Sequence, residues 1–416
     1  VTYTTIFIGL LVIFYTVYGG TKAVSYTQLL QMSIIFCGMF LAGIVVVKIL
    51  PERVGFVQAL KVAGKAGRMN VIDWHFDWNN RYTVWSGLIG GFFLQLSYFG
   101  TDQSQVGRYL AGASVAQSRL GLIMNGLIKI PMQFLILLIG ILVFAFYQFN
   151  RPPMFFNRYE TEQIKKSTYA SAYTHLEKQY DSLFVLKQQQ TGKLVASINQ
   201  KDQTQTNAVN QNLHQLSFKS DSIRSAGLKL MTLNNPNANT DDTNYIFLSF
   251  VKRHLPKGLV GLLIAIVFLA SMGSTASALN SLASTTVVDI YKRMINTQGS
   301  DKNYVAASRL STVFWGLVCI GMALFAGKMG NLLEAVNLLG SYIYGTILGV
   351  FLVAFYFKRI SGTPVFIAAI MTELIVLVLG FTKTVAYLWL NPIGCFSVIG
   401  IAWVINLAMR NKEISV

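Results

Sequence analysis

Charge is scarce in this chain. Of its 416 residues, 12% are Asp, Glu, Lys or Arg, against roughly 25% in soluble domains. That scarcity excludes an ordinary water-soluble fold. Acidic residues are scarcer still, 17 against 34 basic ones, for a formal net charge of +17. The excess of base does not point to nucleic acid, because no zinc-finger spacing or basic region capable of base readout is present. Cysteine is nearly absent: Cys37, Cys319 and Cys395 all lie in apolar runs, which argues against a disulfide framework or a thiolate metal site. Histidine numbers four. His75, His175, His214 and His254 lie in loops or at a span edge and read as solvated. No Ser-His-Asp, His-rich or nucleotide-binding constellation appears, so an enzyme is the least expected class. An initiating methionine is also missing. The chain opens at Val1 inside an apolar segment and reads as a piece whose start lies elsewhere.

What is abundant is apolar sequence: 53% AVILMFWYC and a mean hydropathy of +0.49. Residues 258–288 and 335–357 carry no charge at all. A bilayer core of ~30 Å takes about 20 helical residues. Windows of that kind fall at 3–21, 23–47, 82–102, 120–147, 258–282, 304–326, 331–357, 362–382 and 390–409, predicting an all-α polytopic membrane protein of nine spans. Lys and Arg in the short loops divide eleven against eight, which places the C-terminus in the cytoplasm. Residues 149–255 differ, being rich in Gln, Asn, Lys, Ser and Thr. Their apolar residues recur at helical intervals, Ile164, Tyr169, Leu176, Tyr180 and Leu183 on one arm and Leu194, Ile198, Val209, Leu213, Leu216 and Ile223 on the other. The spacing predicts an extracytoplasmic helical hairpin. The domain reading is therefore membrane spans over 1–148, the insertion over 149–255, and membrane spans over 256–416.

Polar residues inside spans mark a water-filled path, a ligand site or tight packing. Four places qualify. Residues 270–281 form a run of small and hydroxyl residues, open to close helix packing or to oxygen ligation of a dehydrated cation. Lys129 either snorkels to the interface or, if the span starts near Leu120, lies about 9 residues and ~14 Å deep. Gln95, Tyr98 and Phe99 share a helix face that suits a site or a core equally. Glu334 and Asn337 open one span, and Glu373 sits within another.

At these residues the chain resembles the sodium/solute symporter family, the relatives of the sodium/glucose, proline and sialic acid cotransporters. Residues 18–31 (YGGTKAVSYTQLLQ) are similar to its GG-x-x-AV-x-WTD-x-x-Q turn. Residues 98–110 (YFGTDQSQVGRYL) are similar to its NQ-x-x-x-QRYL helix end, and residues 272–293, with MGSTASALNS followed by VDIYKR, to its MSS-x-x-S-x-LNS…D-x-Y segment. The resemblance implies a LeuT-like fold of inverted repeats with solute and sodium near the midplane. It places the nine spans on core helices 4 to 12 and leaves core helices 1 to 3, which supply half of both sites, outside this chain.

Carried across, the resemblance implies sodium ligation by the Ala270 carbonyl and the Ser274 hydroxyl, with Thr275 as a substitute ligand, since Gly273 stands where the family usually has a serine. Gln28 and Ala276 stand where relatives with a second sodium have Asp and Ser. Gln95, Lys129 and Asn337 fall on solute-binding positions, and Tyr98 falls on the inner-gate aromatic. The expected activity is sodium-coupled symport of a sugar, sugar acid or other small organic anion across the cell membrane. The same helical core also admits a membrane sensor or a proton-coupled or uncoupled carrier, with a partner on the 149–255 insertion.

Overall fold

The computed structural model describes the backbone of residues 2–52, 54–70, 72–110, 112, 114–326 and 332–414, and their side chains outside 19–29, 325–335 and 410–414. The described elements are all helical. They run α1 (Thr2–Lys48), α2 (Phe56–Lys65), a π-helical turn (Ser86–Gly90), α3 (Gly91–Thr101), α4 (Gln103–Leu110), α5 (Val115–Phe149), α6 (Arg158–Lys165), α7 (Ala170–Gln200), α8 (Gln203–Asn234), α9 (Thr243–His254) and α10 (Lys257–Thr285). A π-helical stretch (Thr286–Ile295) extends α10. Then follow α11 (Asp301–Ala326), α12 (Leu332–Tyr356), α13 (Gly362–Phe381), a 3-10 turn (Tyr387–Trp389) and α14 (Leu390–Ile414).

Among the described residues, seven helical segments are long and apolar enough to cross a membrane. The other two sequence windows take shorter forms. The first is the Thr2–Tyr18 part of α1; the third is divided between the π-helical turn and α3. The turn expected within 18–31 is replaced by continuous helix, since α1 runs unbroken from Thr2 to Lys48. Local sequence permits this. Gly19 and Gly20 each cost about 1 kcal/mol in a helix, but the stretch holds no proline to remove a backbone donor.

The chain forms two compact units. One comprises Val1–Thr27, Ile72–Asn125 and Ser271–Val416. Here α12 packs on α14 and on α3. Gly345 allows the closest approach: a β-carbon there would meet the Asn391 carbonyl oxygen at 2.5 Å and its Cα at 2.8 Å, both backbone atoms that cannot swing away. A second cluster joins the first half of α1 to α10 and α11 through Val12, Ile13, Ala276, Leu279 and Ile320.

The other unit comprises Gln28–Val71 and Gly126–Ala270. Its core gathers Val46 of α1, Val62 of α2, Phe146 of α5, Leu194 of α7, Val209 of α8 and Phe250 of α9. The hairpin forms as the antiparallel pair α7 and α8, but its turn falls later than the expected arms imply: Leu194 and Ile198, expected on the second arm, belong to α7, and Ile164 of the first lies on α6. A smaller core of Met154, Ile164, Tyr173 and Met231 closes the far side, where burial pushes the Tyr173 phenol up to about 12.

The hairpin turn occupies two residues. Lys201 ends α7 in the left-handed region, φ 59°, donating to the Ile198 carbonyl at 3.2 Å, while the Asp202 N–H reaches the Ser197 carbonyl at 3.1 Å. Asp202 then caps α8 by accepting from the Gln205 N–H at 2.9 Å. Beneath the turn the buried Thr206 hydroxyl donates to Ser197 Oγ at 3.0 Å. A lysine side chain is strained in this backbone region by about 1–2 kcal/mol. Lys201→Gly is therefore expected to stabilise the hairpin by ~1 kcal/mol, read as slower hydrogen exchange at the α7 C-terminus.

Candidate functional site

The third span ends at Asp102. Helix α3 ends at Thr101, Asp102 is extended (φ −73°, ψ 116°), and α4 restarts at Gln103. The local sequence dictates this restart, because Asp102 is an N-cap residue. Its Oδ1 accepts from the Ser104 N–H at 2.8 Å and from the Ser104 hydroxyl at 2.6 Å. Its carbonyl accepts from the N–H groups of Gln105 at 3.0 Å and Val106 at 2.8 Å. In hydrocarbon, interrupted backbone is tolerated where such partners exist and where it lines a cavity.

The break is fastened to α12. The Tyr344 hydroxyl donates to Asp102 Oδ2 at 3.0 Å. One turn earlier on α3, the Ser97 hydroxyl, with no exposed surface, donates to the Tyr344 carbonyl at 2.7 Å. Tyr344 is thus held at both ends by α3 and the break. Beyond the break, Arg108 Nε of α4 donates to Ser277 Oγ of α10 at 3.2 Å. The junction therefore touches two neighbouring helices of its unit through named polar contacts.

Of the residues singled out in the sequence, Tyr98 joins this cluster. It is half-buried, with its ring centroid 5.1 Å from Phe99 and 6.4 Å from Tyr344. Gln95 is exposed one turn earlier on α3. Asn337 is half-buried on α12, seven residues and ~10 Å before Tyr344. On α10, Ala270 and Ser274 are one turn apart on the same face, Ala270 half-buried and Ser274 exposed. Thr275 lies on the adjacent face and donates to the Ser271 carbonyl at 2.9 Å.

Ser271 and Thr275 line a cavity of about 520 Å³ shared with Thr4, Gly9, Cys319 and Ile320 of α1 and α11. Ala270 and Ser274 are not among its described lining residues. The structure thus separates the three sequence-proposed ion ligands into two faces of one helix. Lys129 is exposed on α5, two residues before the in-helix Pro131, and belongs with Ala270 to the other compact unit. The side chains of Gln28 and Glu334 lie outside the described residues.

Among the described residues no group of three or more His, Cys, Asp or Glu could hold a metal. The oxygen ligands on offer along α10 are neutral hydroxyls and carbonyls, a donor set that suits a hard, weakly held cation. Sequence reading noted Asp102 without a role and passed over Ser97, Ser104 and Tyr344. The Asp-Gln-Ser triplet at 102–104 carries a legible helix-start signal. Tyr344, inside an uncharged span, carries none.

The sodium:solute symporter family model matches residues 1–173 and 229–372. The chain is 26% identical over 345 residues to mouse sodium-coupled monocarboxylate transporter 1, covering 82% of this chain and 42% of the relative. It is 23% identical over 377 residues to the Vibrio parahaemolyticus sodium/glucose cotransporter, covering 88% and 55%. The chain thus spans about half the length of these curated relatives. It shares its fold with a solved Na+-coupled sialic acid symporter in a substrate-bound, outward-open state, with a TM-score of 0.67, 20% identity, and coverage of 97% of this chain and 66% of that one. With a family model matched over most of its length, the chain belongs to the sodium:solute symporter family.

Proposed function

We propose that the whole protein is a secondary active transporter that couples sodium entry to the symport of a small polar solute, a sugar, sugar acid or other organic anion. The observation that carries this reading is the match of the sodium:solute symporter family model over residues 1–173 and 229–372. Related proteins bear names for monocarboxylates, glucose and sialic acid. Their common chemistry is a compact molecule rich in hydroxyl or carboxylate oxygen.

In this reading Gln95, Lys129 and Asn337 bind the solute, with the lysine supplying the charge that a carboxylate or polyol needs in a low-dielectric site. Tyr98 closes the inner exit by stacking toward Tyr344. The ion is held by the Ala270 carbonyl and the Ser274 hydroxyl, with Thr275 available one face over. Residues 1–148 and 256–416 form the membrane part, 149–255 stand outside the cell, and the C-terminus is cytoplasmic.

Uptake by full-length protein in proteoliposomes, measured with a labelled sugar, sugar acid and monocarboxylate, tests the solute class. Lys129→Ala is expected to raise the half-saturating concentration of the transported solute at least tenfold, the equivalent of ~1.4 kcal/mol, with protein yield preserved. Unchanged uptake would remove Lys129 from the site.

A further inference from the structure

The second compact unit carries an open polar cavity of about 200 Å³ where α2, α5, α7 and α8 meet, with Arg68 and Asp221 exposed at it. Arg68, Gln148, Lys187, Asn210, Ser217 and Asp221 line it. Its position is held rigidly. Helix α2 ends in a paired C-terminal motif: the Gly67 N–H (φ 77°) donates to the Gly64 carbonyl at 2.9 Å and the Arg68 N–H to the Ala63 carbonyl at 3.0 Å. That turn lays the Arg68 guanidinium over the Phe144 ring, 4.9 Å from its centroid. On the facing hairpin, Lys187 is half-buried. Burial pushes its ammonium below the usual lysine range, while Asp221 pulls it back up.

Two cations therefore face one carboxyl, with two side-chain amides and a serine hydroxyl between them. The residues come from two sources. Arg68 and Gln148 lie within the stretch matched by the family model, whereas Lys187, Asn210, Ser217 and Asp221 lie in 174–228, which it does not match. The cavity thus joins the matched part of the chain to a segment the family model does not match, and it uses none of the residues assigned to transport. Pockets for drug-sized ligands span roughly 300–1,000 Å³, so this one admits only a few heavy atoms.

We propose that this cavity binds a small oxyanion, a carboxylate or phosphate, between the Arg68 guanidinium and the Lys187 ammonium, with the Gln148 and Asn210 amides as neutral donors. A planar guanidinium fork and a point-charge ammonium lining one cavity match the several acceptor oxygens of such an ion. Asp221 limits the excess of positive charge.

Thermal unfolding of the full-length protein in detergent, titrated with sodium phosphate, sodium acetate and sodium chloride at matched ionic strength, tests this. Phosphate or acetate is expected to stabilise saturably where chloride does not, and the two arms tell which oxyanion fits. Arg68→Met and Lys187→Met are each expected to weaken that binding at least tenfold. Should the Lys187 variant fail to fold, Asn210→Asp, which keeps the shape and adds a second carboxyl, carries the test and is expected to abolish binding. Stabilisation no greater than that by chloride, or unchanged affinity in the variant that folds, would overturn the proposal.

Discussion

Asp102→Ala is expected to lower solute uptake by the reconstituted full-length protein ten- to a hundredfold while leaving its yield intact. The substitution removes the cap on α4 and the anchor for Tyr344 in one step. The Ser104 N–H at 2.8 Å, the Ser104 hydroxyl at 2.6 Å and the Tyr344 hydroxyl at 3.0 Å all lose their acceptor. An N-cap and a buried hydrogen bond are each worth about 1 kcal/mol, so the three contacts together amount to ~3 kcal/mol, near a hundredfold in the population of the ordered break. Asp102→Asn keeps an acceptor oxygen for Ser104 and is expected to retain most of the uptake. Tyr344→Phe, which removes only the tether, should fall between the two. Equal uptake by all three variants would separate the break from transport.

The second large effect lies in the hairpin unit. Asp242 is 2% exposed, and its two oxygens are used by the Arg224 guanidinium and by the Phe156 N–H, the latter at 2.7 Å. It ties α8, the segment before α6 and the start of α9 together. Arg224→Met would leave a buried carboxyl without its cation, a loss that costs about 3–5 kcal/mol. Hydrogen exchange along α8 and α9 should accelerate by two to three orders of magnitude, at ~1.4 kcal/mol per decade. The paired change Arg224→Met with Asp242→Leu removes both charges and should recover most of the loss, because the cost comes from the unpaired charge and not from the missing bond.

What was legible in the sequence follows from periodicity and hydropathy. Uncharged runs such as 258–288 announced spans, and apolar residues at helical spacing over 149–255 announced a two-armed hairpin, whose turn at Lys201 and Asp202 nevertheless puts Leu194 and Ile198 on the first helix and not the second. Asp102 was visible as a polar residue at a span end, and its capping role needed only the Ser104 two positions on. The partner was not visible. Tyr344 lies 242 residues away in an apolar run, and nothing local distinguishes it from a core aromatic.

The continuity of α1 was hidden for the opposite reason. A double glycine and a lysine suggested a turn, but neither stops a helix that lacks a proline. The cavity lined by Arg68 and Lys187 was equally invisible, since the packing of α2 against α7 brings them to one place. Local composition specifies elements, whereas sites built from distant side chains emerge only from tertiary packing.

The most direct measurement is solute accumulation by proteoliposomes carrying the full-length protein under an inward sodium gradient, compared with an equal potassium gradient. A tenfold sodium gradient holds ~1.4 kcal/mol per ion, enough to concentrate solute about tenfold for each sodium coupled. Sodium-coupled symport predicts accumulation above equilibrium with sodium alone, and its collapse when a sodium ionophore is added. Uptake that reaches only equilibrium, at the same rate in either cation, would contradict it.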